Sequence, residues 1–242
     1  MSSSILSLGT AVPPYKAKQA DLAEFMTNYM GLDRNHSRRL QVLYNLSGIE
    51  TRYSVIPDFT SPDSEFRFFP NHSSKQPPST QQRMALYQEH AVQLGTEAAK
   101  DCLANFNGSP PEITHLIAVS CTGMYAPGLD IDLVKSLELP TDIERTAINF
   151  MGCYAAFNAL KAADKIVQTS PESNVLIVAV ELCTIHFQPS TEEDAMVSNA
   201  LFADGAGAAI VGRADNGQAS LSMDAFYSDL FLDGQEDMGW YI

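Results

Sequence analysis

Apolar residues follow two different spacings along this chain, and each spacing predicts one kind of element. They recur every three to four positions in five segments, which predicts helices at residues 19–29, 35–46, 81–106, 130–137 and 153–169. Continuous apolar runs predict strands at 115–120 and 174–180, and extended segments are expected at 4–8, 49–56, 201–211 and 219–226. The last two are predicted to be joined by a turn at residues 215–217.

Predicted strands and helices alternate from residue 115 onward. Continuous apolarity indicates strands that are covered on both faces, as in a parallel sheet between two layers of helices. We therefore predict an α/β fold, a layered α-β-α arrangement around a mostly parallel mixed sheet. Residues 57–80 are rich in proline, serine, aspartate and phenylalanine, and we expect them to form a long surface excursion.

The charge of the chain narrows the classes of partner. The 242 residues carry a formal net charge of −14, and the sequence pI is about 4.6. Nucleic-acid binding needs clustered lysine and arginine, so the composition argues against it. An anionic small molecule remains compatible, because a few local cations are enough to hold one.

Cysteine usage and the absence of targeting patterns point to one compartment. The four cysteines are scattered, without close pairs, which favours a reduced protein over a disulfide scaffold. The first residues show no charged segment followed by an apolar run, and no stretch is long enough to span a membrane. We expect a cytoplasmic protein that does not insert into membranes.

Cys153 is the residue with the clearest chemical potential. It lies between a segment predicted as a buried strand and the start of the helix predicted at 153–169. Unpaired N–H groups and the positive end of the helix dipole favour a thiolate, which is the nucleophilic form of cysteine. Gly152 permits a tight turn that would direct the sulfur outward. The alternative is a cysteine buried as a small hydrophobic residue.

Two other segments follow predicted strands and are candidates for lining the same pocket. They are residues 120–123 and 181–186, and ligands of open α/β sheets bind beyond the carboxyl ends of such strands. Cys183 and His186 have the spacing of half a zinc site, but no second pair matches, so no metal is expected. His186 is then either a base for Cys153 or a core histidine. The small residues at 205–207 lack a third glycine, so no dinucleotide cofactor is expected.

Five segments together resemble the thiolase superfamily and, most closely, the type III polyketide synthases, the enzymes similar to chalcone synthase. They are residues 8–13, 48–53, 120–130, 145–155 and 200–205. The resemblance covers nearly the whole chain and is to the N-terminal thiolase-like half of the family. It implies that residues 1–242 are one N-terminal thiolase-like domain, and no segment resembles the family's C-terminal half.

The resemblance also implies roles for individual residues. Cys153 matches the catalytic cysteine, and Phe202 matches the aromatic gate between the CoA tunnel and the cavity. Arg52 falls in the segment on the CoA side. The remaining matches fall on positions that line the substrate cavity, namely Cys121, Thr122, Ala126, Cys183 and His186.

The implied chemistry is acyl transfer from CoA thioesters. A starter acyl group would move to the cysteine, and malonyl-CoA would be decarboxylated and condensed with it, without a bound cofactor. In the family a histidine and an asparagine of the C-terminal half stabilise the enolate. The resemblance further implies a homodimer formed near the nucleophile segment and the 127–128 loop. Two alternatives remain open: a ketoacyl synthase III-type condensing enzyme, and a thiolase-fold binding protein without catalytic activity.

Overall fold

A computed structural model describes residues 3–62, 65–70, 76–214 and 220–234. The strands are β1 (Ser4–Ala11), β2 (Tyr15–Lys18), β3 (Thr51–Ser54), β4 (His115–Ser120), β5 (Glu144–Asn149), β6 (Val175–Leu182), β7 (Asp204–Gly212) and β8 (Leu221–Ser222). The α-helices are α1 (Gln19–Tyr29), α2 (Arg34–Leu46), α3 (Thr80–Ala104), α4 (Leu129–Ser136), α5 (Ala155–Thr169) and α6 (Glu193–Leu201).

Six strands form one mixed sheet in the order β5-β4-β6-β7-β1-β8, and β2 pairs with β3 in a separate ribbon. β4 runs parallel to both β5 and β6, whereas β7 is antiparallel to β6 and to β1. Strands β1, β4, β5 and β6 therefore share one direction, which confirms the predicted mostly parallel mixed sheet. The C-terminal ends of β4, β5 and β6 and the start of β7 lie at the same end of the strands. We call this the site end of the sheet.

The sheet is sandwiched between helices because β4 and β6 bury side chains on both of their faces. Ile117 and Val119 face α5, and Ala159 and Ala163 of that helix pack against the same cluster. Leu116 and its neighbours face the opposite side, where α3 lies. The predicted layered α-β-α arrangement is confirmed. Among the helices in the described ranges, none is both long enough and apolar enough to cross a membrane.

The segment predicted as a surface excursion is partly packed. Phe59 and Phe69 are buried, and their rings lie 5.1 Å apart, edge to face. The buried carboxylate of Asp58 fixes this segment by accepting hydrogen bonds from the backbone N–H groups of residues 67–69. The aromatic residues of the segment therefore belong to the core rather than to the surface.

Three further predictions need correction. The strand before Cys153 is not buried in this structure: β5 is the edge of the sheet, and most of its residues are exposed. The strand predicted at 201–211 begins only at Asp204, because residues 193–201 form α6. The strand predicted at 219–226 is reduced to Leu221–Ser222. The turn predicted at 215–217 lies outside the described residues.

Candidate active site

Cys153 is exposed at the junction between β5 and α5. It occupies the middle of a single 3-10 turn, Gly152–Tyr154, directly before the first residue of the helix. The N-cap residue Tyr154 makes no capping hydrogen bond with its side chain, and the Ala155 N–H donates to the Gly152 carbonyl within the 3-10 turn. The 15-residue helix therefore directs its positive dipole end toward the segment that carries the sulfur.

The backbone before Cys153 adopts an uncommon conformation. Gly152 has φ +62°, and a Cβ atom built at this position would meet nothing within 4 Å. The glycine is therefore required for its backbone conformation and not for space. Phe150 has φ +55°, which is uncommon for a bulky residue and marks a constrained turn. This turn places Cys153 at the surface, as the sequence predicted.

A half-buried carboxylate shapes the neighbouring loop after β4. Glu181 accepts hydrogen bonds from the backbone N–H groups of Cys121 and Thr122 at 2.9 and 3.0 Å, and from the Thr122 hydroxyl at 2.7 Å. Burial raises the pKa of Glu181, although these three hydrogen bonds oppose the rise. The Thr122 hydroxyl oxygen in turn accepts from the Leu182 N–H at 2.8 Å, so β6 and the loop are locked together.

His186 is held against the same loop. Its Nε2 lies 2.6 Å from the carbonyl oxygen of Thr122, and because a carbonyl only accepts, Nε2 carries the proton. Burial lowers the pKa of His186, and the positive charge of Arg83 lowers it further. The imidazole is therefore neutral at pH 7 and ties the 3-10 turn Cys183–His186 to Thr122.

The three cysteines at the site end of the sheet, Cys121, Cys153 and Cys183, differ in their surroundings. Burial raises the pKa of Cys183 to about 12, and the carboxylates of Glu181 and Asp204 add to the rise. Burial also raises the pKa of Cys121, and the Gly152 N–H partly offsets the effect. The hydrogen bond from the Gly152 N–H places Cys121 beside the turn that carries Cys153. Of the three, only Cys153 is exposed.

Phe202 lies at the same end of the strands, directly after α6, and 37% of its surface is exposed. The order β5-β4-β6-β7 separates the Cys153 segment from the Phe202 segment by three strand spacings, roughly 14 Å. Asp204 fixes the start of β7 by accepting from the backbone N–H groups of Val55 and Thr184, both at 2.8 Å. Burial raises the pKa of Asp204 to about 6.

Arg52 is turned into the protein. Only 8% of its surface is exposed, and its Nη1 donates to the carbonyl oxygens of Asn199 and Phe202 at 2.7 and 2.8 Å. Its Nε donates to Gln19 Oε1 at 2.8 Å, and Nη2 is buried without an acceptor among the described residues. Burial lowers the pKa of Arg52, whereas Tyr44 and Asp204 oppose that shift. A direct contact of Arg52 with CoA stays a prediction.

Ala126 is exposed in the loop between β4 and α4. A small cavity of about 90 Å³ lies beneath this loop and is lined in part by Tyr87, Ser120 and Pro127. A larger cavity of about 550 Å³ lies between α3 and the β1–β2 connection, and none of the predicted site residues lines it. Across the described ranges, no group of three or more His, Cys, Asp or Glu side chains is arranged to hold a metal ion.

The structure thus brings Cys121, Thr122, Cys183 and His186 together beside Cys153. Phe202 lies at the same end of the strands. Sequence reasoning missed two carboxylates that hold these segments, the half-buried Glu181 and the buried Asp204. The available signal was an acidic residue within or beside an apolar strand, since such residues are rarely buried unless they are paired.

Comparison with known proteins identifies the family of this chain. Residues 2–215 match the family described as chalcone and stilbene synthases, N-terminal domain. The chain therefore belongs to the chalcone and stilbene synthase family. The resemblance stated from the sequence is confirmed.

Individual relatives carry polyketide synthase in their names. The chain is 34% identical over 208 residues to an alpha-pyrone synthesis polyketide synthase-like protein, Pks18, of Mycobacterium tuberculosis, covering 86% of this chain and 51% of that protein. It is 30% identical to type III polyketide synthase C of Arabidopsis thaliana, covering 86% of this chain and 54% of the relative. The chain spans about half the length of these relatives.

Solved structures confirm the thiolase-like fold. The C-terminal type III polyketide synthase domain of Steely1 from Dictyostelium superposes with a TM-score of 0.79 at 28% identity, covering 88% of this chain and 56% of that one. The synthase PKS-I of the brown alga Ectocarpus siliculosus gives a TM-score of 0.82 at 30% identity, covering 90% and 58%.

Proposed function

We propose that this chain is the acyl-accepting part of a type III polyketide synthase. Cys153 accepts an acyl group from a CoA thioester, and the whole protein condenses that group with malonyl-CoA. The observation that carries the proposal is the exposed Cys153 directly before α5, inside a segment that matches the family. The names of the relatives favour this function over a ketoacyl synthase III-type enzyme and over a binding protein without activity.

The first step is thioester exchange. The Cys153 thiolate attacks the carbonyl carbon of the acyl-CoA, the carbon–sulfur bond to CoA breaks, and CoA leaves as a thiolate. Cys153 is exposed directly before the first residue of α5, so an acyl-CoA can reach its sulfur. Because burial raises the pKa values of Cys121 and Cys183, those thiols stay protonated and do not compete for the acyl group.

The second step is the decarboxylation of malonyl-CoA, and it needs hydrogen-bond donors that are aimed at the thioester oxygen. Decarboxylation of malonyl-CoA places negative charge on the thioester oxygen, and aligned donors must stabilise it. His186 cannot easily serve, because its Nε2–H is directed at the Thr122 carbonyl. We therefore assign this step to the histidine and asparagine that the family resemblance places in its C-terminal half.

The CoA phosphates need a cationic surface, and α2 offers one. Arg34, Arg38 and Arg39 are exposed on this helix, in a chain with a net charge of −14. α2 packs against α6, and the Tyr44 hydroxyl of α2 donates to the Asn199 carbonyl near the end that carries Phe202. We assign the phosphate contact to these arginines, with the buried Arg52 behind them.

The edge strand supports a homodimer as the working unit. β5 is exposed along most of its length, and Phe150 and Met151, which follow it, expose 41% and 51% of their surfaces. An exposed strand edge with adjoining apolar side chains is a surface that proteins usually cover. Light scattering of the complete protein at micromolar concentration should show a dimer, and a strict monomer would contradict this assignment.

Two assays on the 242-residue chain test the proposed function. CoA release from an acyl-CoA should occur and should disappear in C153A, whereas carbon dioxide release from malonyl-CoA should be absent. Removing one oxyanion donor costs about 10²–10³ in rate in known enzymes, so a chain that lacks both donors should show no release above background. Malonyl decarboxylation at the rate of an intact synthase would contradict the assignment of the second step.

A further inference from the structure

The carbonyl groups at the end of α6 are held by side chains from three other elements. The last carbonyls of a helix have no partners within the helix, and they must be satisfied from outside. Here Gln19 of α1 donates to the Ala200 carbonyl at 2.8 Å, and Tyr44 of α2 donates to the Asn199 carbonyl at 3.0 Å. Arg52 of β3 donates to the carbonyls of Asn199 and Phe202.

Arg52 is the centre of this arrangement. Arg52 Nε donates to Gln19, and the guanidinium carbon lies 5.3 Å from the centre of the Tyr44 ring. Arg52 therefore also orients Gln19 and Tyr44, the other two residues that donate to the end of α6. A cation at the C-terminal end of a helix is favoured by the helix dipole. Hydrogen bonds from a charged donor are also stronger than those between neutral groups.

The position of Arg52 is itself fixed. Arg52 of β3 pairs with Ala17 of β2 in the two-stranded ribbon, and only 8% of its surface is exposed. Burying a guanidinium is costly unless its donors are used, and two of its three nitrogens are used on the α6 end or on Gln19. The carbonyl group of Phe202 is therefore held by the buried Arg52, whereas the Phe202 side chain stays partly exposed at the site end of the sheet.

We infer that Arg52 is a positioning residue for Phe202: it fixes the backbone of the gate and thereby limits which acyl groups reach Cys153. This inference rests on the proposed function, because it takes Phe202 as the gate. It gives Arg52 an indirect role that does not require contact with CoA. It also predicts that Arg52 and Phe202 act as one unit on acyl selectivity.

The test combines a spectroscopic and a kinetic readout. With 4-fluorophenylalanine incorporated at position 202, R52M should split or broaden the fluorine resonance, and R52K, which keeps the charge but loses the forked geometry, should have a smaller effect. R83M is the matched control: Arg83 also donates to backbone carbonyls, of Pro78 and Ile185, and its loss should leave the resonance at 202 unchanged.

The kinetic readout is the ratio of Cys153 acylation rates with a long and a short acyl-CoA. F202A and R52M should shift this ratio in the same direction, R52M by roughly tenfold, the size that one charge-assisted hydrogen bond can sustain. The double variant R52M/F202A should match F202A alone, because two residues that act as one unit are not additive. A merely structural role would lower both acylation rates together and leave the ratio unchanged.

An unchanged resonance and an unchanged ratio in a folded R52M protein would overturn the inference. If R52M does not fold, Q19L removes the acceptor for Arg52 Nε and the donor to Ala200 while leaving the cation in place, and the same two outcomes apply. If no acyl-CoA acylates Cys153, the proposed function fails, and the fluorine resonance still decides whether Arg52 positions Phe202.

Discussion

Glu181 accepts both the backbone N–H and the hydroxyl hydrogen of Thr122, at 3.0 and 2.7 Å. Glu181 belongs to β6 and Thr122 to the loop after β4, so one carboxylate joins the ends of two neighbouring strands. Cys121, which precedes Thr122, is bound by the same carboxylate. The wall of the site beside Cys153 is therefore fixed by a half-buried acid.

Replacing Glu181 by glutamine should destabilise the protein. The amide offers one oxygen instead of two acceptors, and its NH₂ group would face the N–H groups of residues 121 and 122. We expect E181Q to lower the free energy of unfolding by about 1–3 kcal/mol, the cost of leaving buried donors unpaired. Urea unfolding measures this, with E193Q on the exposed start of α6 as the control that should change little. Equal midpoints for both variants would contradict the role of Glu181.

Asp204 should make stability depend on pH in a defined direction. Its pKa is raised from an ordinary 3.8 to about 6, so the folded state binds the proton more tightly than the unfolded state. Stability should therefore fall as pH rises through the window from 3.8 to about 6, by at most about 3 kcal/mol over the whole window.

The difference between the wild-type protein and D204N isolates this effect. Urea midpoints followed by circular dichroism between pH 4 and 7, in dilute protein, should give a falling wild-type profile relative to D204N. A relative profile that rises with pH in this window would mean that the carboxylate is stabilised, and not penalised, by its surroundings.

Gly152→Ala should cost stability through the backbone alone. The position has φ +62° and open space around it, so an added methyl group meets no atom but holds the backbone in a strained region. We expect a loss of about 1–2 kcal/mol, the cost of a left-handed conformation for a residue with a Cβ atom. Gly205→Ala is the control, since a Cβ atom there meets only Ala11 O at 3.7 Å. A smaller effect at 152 than at 205 would contradict this account of the turn.

Limited treatment with iodoacetamide should modify Cys153 before the other cysteines. It is exposed, whereas Cys102 is buried and burial raises the pKa values of Cys102, Cys121 and Cys183. Peptide mapping near pH 7 should show label at Cys153 first, and C153A should remain almost unlabelled in the same time. Labelling of Cys121 or Cys183 at the rate of Cys153 would show that burial does not protect them.

The regular elements could be predicted from sequence wherever one local pattern dominates. Residues 19–29 and 115–120 have the bounds of α1 and β4, because helical spacing and a continuous apolar run are local signals. α6 was missed because its nine residues show only a weak apolar stripe before the apolar run of β7. The exposure of β5 fits its own polar residues, among them Glu144, Arg145 and Asn149, which the prediction of a buried strand did not weigh.

The candidate site divides in the same way. Cys153 at the start of a helix follows from local sequence, and the strand order then brings Cys121, Cys183 and His186 beside it. The inward direction of Arg52 could not be predicted, because its acceptors lie about 150 residues away in sequence, at the end of a helix that was not predicted. Long-range hydrogen bonds of this kind become visible only in the folded chain.

The proposed function requires that Cys153 carries the acyl group. The direct measurement is mass spectrometry of the 242-residue chain after brief exposure to an acyl-CoA, followed by digestion at acidic pH to locate the modification. We expect one added acyl group on the peptide that contains Cys153, removed by hydroxylamine as expected for a thioester, and no added mass in C153A. An acyl group on Cys121 or Cys183, or undiminished acylation of C153A, would show that Cys153 is not the acyl acceptor.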